Sequence, residues 1–179
     1  KLNWLSLIRS DLTGVTGCSW QPNLAQCSPD KEIMMEVRNA VSPTPQQLEG
    51  FLDPEPKGAI YMLNLLSFKE RAEYEDSRET NLSGKEAWQI YASGVAKVIS
   101  QVGGYIGFGA DVKRLMLGEV ETLWEHVAIA MYPSRAAMLE MIQMPEYAEI
   151  SVHRTAGLAG QLNIETVAPV GAWLSKDWA

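Results

Sequence analysis

Ala59-Ile-Tyr-Met-Leu-Asn-Leu-Leu-Ser-Phe68 is a nearly continuous apolar run, bounded by Gly58 and by the charged residues that begin at Lys69. Its length and apolar content predict a strand buried on both faces. Downstream, Ser83-Gly-Lys-Glu86 has the form of a capping box, in which hydroxyl and carboxylate satisfy amide donors left over at a helix start. The helix it opens carries Ala87, Tyr91, Val95, Val98 and Val102 along one stripe, and Gly103-Gly104 ends it. Tyr105 to Leu117 reads as a second strand, bent near Gly107, Gly109 and Asp111, and Trp124 to Tyr132 as a third. Pro133-Ser134 opens a helix through about Met144, and Pro145 starts another short one. Gly157 and Gly160 then break the chain before a last strand, Gln161 to Val167.

Strand–helix–strand thus occurs twice, which is the split βαβ order. It predicts an α+β, ferredoxin-like sandwich: a four-stranded antiparallel sheet with its helices on one face. The other face of such a sheet needs a cover, and a second copy supplies one with two-fold symmetry. A homodimer joined through the sheet faces is the expected assembly.

Around this domain, taken as residues 44–168, lie an N-terminal extension, 1–43, and a tail, 169–179. Trp4, Leu5, Ile8 and Leu12 fall at helical spacing, and residues 31–40 suggest another short helix. Thr44-Pro45 is a helix start that Pro54 and Pro56 close. Trp4, Trp20, Trp173 and Trp178 all lie in the extension and tail, and rings of that size are expected to dock on something.

The chain has 179 residues, 46% of them hydrophobic, enough for one packed domain with additions. Its 15 Lys+Arg against 22 Asp+Glu leave a net charge of −7 with no basic cluster. That argues against nucleic acid and anionic membrane as partners. No apolar run is long enough to span a bilayer. Cys18 and Cys27 are too far apart for a C-x-x-C pair and lack matching histidines for zinc. Two idle thiols fit a cytoplasmic protein, and a Cys18–Cys27 disulfide would mark an exported one.

Alternation along the third strand separates two faces. Val127, Ile129 and Met131 share one, which suits packing under the helices. Trp124, His126, Ala128, Ala130 and Tyr132 share the other, where large polar-tipped rings beside small alanines would leave room for a ligand. Ile60, Met62, Asn64, Leu66 and Phe68 align along the first strand, setting one amide among hydrophobes. A buried Asn must find partners, within the fold or on a ligand. If Asn64 and His126 share a face, they form a polar spot in an apolar cavity. His126 is either a packed core or interface residue or an acid–base catalyst, since imidazole titrates near neutrality. Tyr91, Trp124, Tyr132 and Arg154 complete the candidate ligand-binding set.

Neither cofactor nor metal is encoded by a motif. Gly107-x-Gly109 lacks the third glycine of a dinucleotide turn, and H-E-x-x-H, G-x-S-x-G and the P-loop are missing from the sequence.

Tyr61-Met-Leu-Asn-Leu-Leu-Ser-Phe68 resembles the strand motif that opens the domain of unknown function 1330 family. Ser83-Gly-Lys-Glu-Ala-Trp-Gln-Ile-Tyr91 is similar to that family's first-helix signature. Gly103-Gly104, Tyr132-Pro-Ser134, Pro145-Glu-Tyr147 and His153-Arg154-x-Ala-Gly-Leu158 follow in the family's order. The resemblance covers about residues 44–168 and implies a dimeric α+β barrel, two ferredoxin-like sheets packed face to face. It implies no reaction, because related barrels include cofactor-independent enzymes and plain ligand binders. Two functions are therefore carried forward. One is a small-molecule site, with or without acid–base catalysis by His126. The other is a non-catalytic assembly subunit that docks through its tryptophan-bearing extensions.

Overall fold

The computed structural model describes residues 37–53 and 57–170. The expected helix around Trp4, both cysteines, the helix-closing Pro54 and Pro56, and the tryptophans of the extension and tail lie outside the described residues. The elements run α1 (Pro45–Leu52), β1 (Ile60–Phe68), α2 (Gly84–Gln101), β2 (Tyr105–Asp111), β3 (His126–Tyr132), α3 (Arg135–Ile142), α4 (Pro145–Gly157) and β4 (Leu158–Thr166). The strands form one four-stranded antiparallel sheet in the order β2-β3-β1-β4, the ferredoxin-like arrangement.

The helix boundaries follow their caps. Ser83 Oγ accepts from the Glu86 amide at 3.2 Å, while Glu86 Oε2 accepts from the Ser83 amide at 2.7 Å. Thr44 and Gln47 close the same reciprocal pair at the start of α1, with Pro45 as its first residue. Ser134 caps α3, and Pro145 opens α4. Gly103, at φ +76°, turns the chain out of α2 in a conformation that side chains other than glycine rarely adopt.

Register decides which sheet face the helices cover. Ile60, Met62 and Leu66 of β1 and Ala130 and Tyr132 of β3 are buried beneath them, together with Val95, Val98 and Ile99 of α2 and Met141 of α3. This corrects the expectation for β3. Its branched face, Val127, Ile129 and Met131, lies away from the helices, and the His126–Ala128–Ala130–Tyr132 face lies under them. The alanines admit the large side chains of α2 and leave space above the sheet. β1 follows suit: Tyr61, Leu63 and Leu65 stand on the open face in cross-strand register with Met131, Ile129 and Val127, so β1 is helix-covered on one face only. β4 does the same, setting Leu162 and Ile164 beside Leu65 and Leu63.

Three local expectations also change. β2 stops at Asp111 instead of Leu117, because Val112 N to Glu125 O is its last rung and β3 offers no partner beyond that point. α4 is a 13-residue helix that includes Gly157, so this glycine does not interrupt the chain. Residues 37–39 are not helical, and Ala40 pairs antiparallel with Gln161, laying the segment that precedes α1 along the edge of β4.

Candidate functional site

Between the helices and the sheet lies a cavity of about 800 Å³. Met62, Asn64 and Leu66 of β1 and His126, Ala128 and Ala130 of β3 contribute its floor. Trp88, Tyr91 and Val95 of α2 and Tyr147 and Arg154 of α4 contribute to its roof. Residues of the 37–53 segment, among them Val41, Leu48 and Phe51, close one side. Asn64, Tyr91, His126, Tyr132 and Arg154, singled out in the sequence, all line this one cavity. Trp124 does not: it precedes β3 and donates its indole N–H to Asn39 Oδ1 at 2.8 Å.

The polar groups of the floor are coupled. Asn64 Nδ2 donates to Met62 O at 2.9 Å, and Asn64 Oδ1 accepts from Gln161 Nε2 at 3.3 Å. Gln161 Oε1 in turn accepts from Arg154 Nη2 at 2.8 Å, and Arg154 Nη1 donates to Val41 O at 3.0 Å. Asn64 thus has the internal partners a buried amide requires while still facing the cavity. Gln161 is a site residue that the sequence reading passed over. In Gln161-x-Asn163-x-Glu165 polar residues alternate with Leu162 and Ile164, a pattern that ordinarily marks the solvent face.

His126 sits at the far end of the floor, its side chain 15% exposed. Its Nδ1 lies 2.8 Å from Asp111 Oδ1, and Lys85 Nζ donates to the other oxygen of that carboxylate at 2.7 Å. The Lys85 hydrogen bond, and after it the His126 one, hold the Asp111 carboxyl below the ordinary carboxylate range. Trp88 packs its ring against the imidazole, with centroids 4.9 Å apart. An ionised carboxylate on Nδ1 favours the proton there and leaves Nε2 as the acceptor.

Tyr132 of the sheet and Tyr91 and Tyr147 of the helices form an apolar-bodied side of the cavity, with the rings of Tyr91 and Tyr147 edge-on at 6.2 Å. Burial raises the Tyr91 phenol well above its usual 10.0; Tyr147 adds to this and Arg154 opposes it. Burial raises Tyr132 as well. Since the folded state holds these phenols neutral, their contribution to stability is intact below pH 10.0 and is lost as pH rises through the folded values. In an alkaline titration followed by phenolate absorbance, Tyr91 and Tyr132 should ionise last, together with loss of the circular dichroism signal. Two phenols titrating near their usual value in a folded protein would contradict their burial.

Among the described residues there is no cluster of His, Cys, Asp and Glu able to hold a metal ion, and no helix long and apolar enough to cross a membrane.

The sequence matches no family model, and no curated protein matches it. Solved structures do. The methylated RPA0582 protein is 34% identical over 74% of this chain and 96% of its own, with a TM-score of 0.67. The RPA0582 protein of unknown function from Rhodopseudomonas palustris is 31% identical over 75% of this chain and 100% of its own, with a TM-score of 0.66. A ferredoxin-like protein of the dabb family from Mesorhizobium loti is 14% identical over 64% of this chain, with a TM-score of 0.39. Sequence identity, coverage and the shared fold together place the chain in the family of the Rhodopseudomonas palustris RPA0582 protein.

Proposed function

We propose that residues 44–168 form a small-molecule-binding domain of the domain of unknown function 1330 type, flanked by the extension and the tail and paired as a dimeric α+β barrel. One observation carries the binding reading: separate strands and helices bring Asn64, Tyr91, His126, Tyr132 and Arg154 to the same largely apolar cavity. An apolar hollow with a few convergent polar groups is the usual form of a ligand site, and about 800 Å³ suits an organic molecule of metabolite size. Within it, His126 is the acid–base group and Asp111 its positioning partner, which holds the imidazole through Nδ1.

Pairing is supported by the open sheet face. Tyr61, Leu63, Leu65, Val127, Ile129 and Met131 form an apolar surface across the two central strands, without a charged side chain among them. A surface of one character meets its own copy without mismatch, as a two-fold interface requires.

The experiment is mass spectrometry of the purified protein under native and denaturing conditions. A small molecule should leave with denaturation and be missing from an Ala128→Phe variant, whose ring would fill the floor. A turnover assay built on that molecule should lose 10²–10⁴-fold in His126→Gln, roughly the worth of a general base. Identical masses for wild type and Ala128→Phe, with no ligand recovered and none taken up from a metabolite mixture, would overturn the reading.

A further inference from the structure

We propose that the ligand is a monocarboxylate with an apolar body, its carboxylate held by Arg154 and its body lying across the floor toward His126. This rests on the small-molecule reading of the same cavity. Arg154 is half-buried, and its hydrogen bonds go to neutral acceptors, the Val41 carbonyl and the Gln161 amide oxygen. No carboxylate pairs with it among the described residues. Glu165, the one carboxylate among the described lining residues, is already gripped by Arg135 through Nε at 2.9 Å and Nη2 at 2.8 Å. The last turn of α4, which favours a cation, thus turns toward an apolar hollow a guanidinium that has two neutral acceptors and no carboxylate. A cation removed from water needs a counter-charge, and the guanidinium fork fits a carboxylate in bidentate fashion.

The rest of the site limits what carries that charge. Of the two arginines among the described residues that line the cavity, Arg38 is exposed and has an interaction of its own, which leaves Arg154 as the half-buried one. One guanidinium balances one unit of negative charge; a phosphomonoester, with nearly two, would call for further donors. Gln161, Leu66 and His126 stand side by side on β4, β1 and β3. Two strand spacings separate the ends of that row, about 10 Å. Leu66 lies on the way, and the Trp88 ring packs at a tilt against His126 at its end. A carboxylate at Arg154 thus allows a body of several carbons, or a ring on a short chain, to reach the imidazole.

The test uses matched probes, 4-phenylbutyrate and 4-phenylbutan-1-ol, titrated calorimetrically into the full chain. The acid should bind at least tenfold more tightly than the alcohol. Arg154→Met should remove that preference while keeping the affinity for the alcohol, and Arg154→Lys should restore part of it. Equal binding of acid and alcohol to wild type would overturn the carboxylate assignment and leave the small-molecule reading standing. Binding of neither probe would overturn this assignment, and the recovery of a co-purified molecule then decides separately whether the cavity is a ligand site. The wild-type comparison stands even if the Arg154 variants fail to fold.

Discussion

Gly157→Ala should destabilise the domain by about 3 kcal/mol and lower Tm by about 10 °C, although alanine is the better helix former. Gly157 is the last residue of α4, and a methyl group there would overlap the Gly84 carbonyl oxygen and come within 2.9 Å of the Trp88 amide nitrogen. The converse holds at Gly84, where an added carbon would overlap the carbonyl oxygens of Lys69 and Gly157. All of these atoms are backbone, so no rotamer change relieves the overlap. The junction is tied by hydrogen bonds from Lys69 N to Gly157 O at 2.9 Å and from Gly84 N to Lys69 O at 3.0 Å. Moving the helices apart would break them. Gly50 in α1 is the internal control, with nothing within 4 Å of the site of its missing carbon. Gly50→Ala should leave the domain unchanged or stabilise it by up to about 1 kcal/mol. Thermal melts of the two variants check both signs, and a Gly157→Ala protein as stable as wild type would mean that the helices do not touch backbone to backbone. The contact also matters to the site, because α2 carries Trp88 and Tyr91 and α4 carries Tyr147 and Arg154.

That role of Gly157 was illegible in the sequence, since glycine marks a chain break and a close helix contact with the same letter. Other features were legible because a local rule governs them. The Ser83–Glu86 box placed the start of α2, the apolar run placed β1, and the doubled strand–helix–strand order yielded the sheet. Alternation also grouped His126 with Ala128, Ala130 and Tyr132, and with Asn64 across the register. What alternation could not say was which face the helices take. Branched residues such as Val127 and Ile129 signal that a face is apolar, but not whether a helix or another chain covers it. The helices take the side with the smaller residues, where Tyr91 and Tyr132 need room. On β4, likewise, Gln161 and Glu165 turn inward to meet Arg154 and Arg135. These partners lie on other elements, so the local polar pattern pointed the wrong way. The end of β2 had the same kind of cause, being set by the reach of β3 and not by the apolar residues at 115–117.

The inverted faces make neighbouring residues of β3 report on different things. Ile129→Lys should abolish the proposed dimer while leaving the protomer folded. Ile129 stands on the open face, flanked across the register by Leu63 of β1 and Phe108 of β2. Beyond Leu63 comes Ile164, 43% exposed, and Phe108 is itself 38% exposed. In a lone protomer a lysine at this position reaches water and disturbs no packing beneath the helices. At a two-fold interface it would bury an unpaired ammonium, and its symmetry mate would bury another; each is worth several kcal/mol, so Kd should rise by about 10³-fold or more. Sedimentation velocity at micromolar concentration should show wild type as a dimer and Ile129→Lys as a monomer with the same circular dichroism spectrum. Mass action adds a second readout: the wild-type Tm should climb with protein concentration, and the variant's should not. Ala128→Lys, one residue earlier, should do the reverse, because its side chain points into the cavity beside Asn64. There the charge would weaken the fold and expel any ligand while leaving the open face unchanged. A wild-type monomer, or an Ile129→Lys variant that still dimerises, would remove the sheet face as the site of pairing and leave the apolar surface of β1 and β3 to be covered by something other than its own copy.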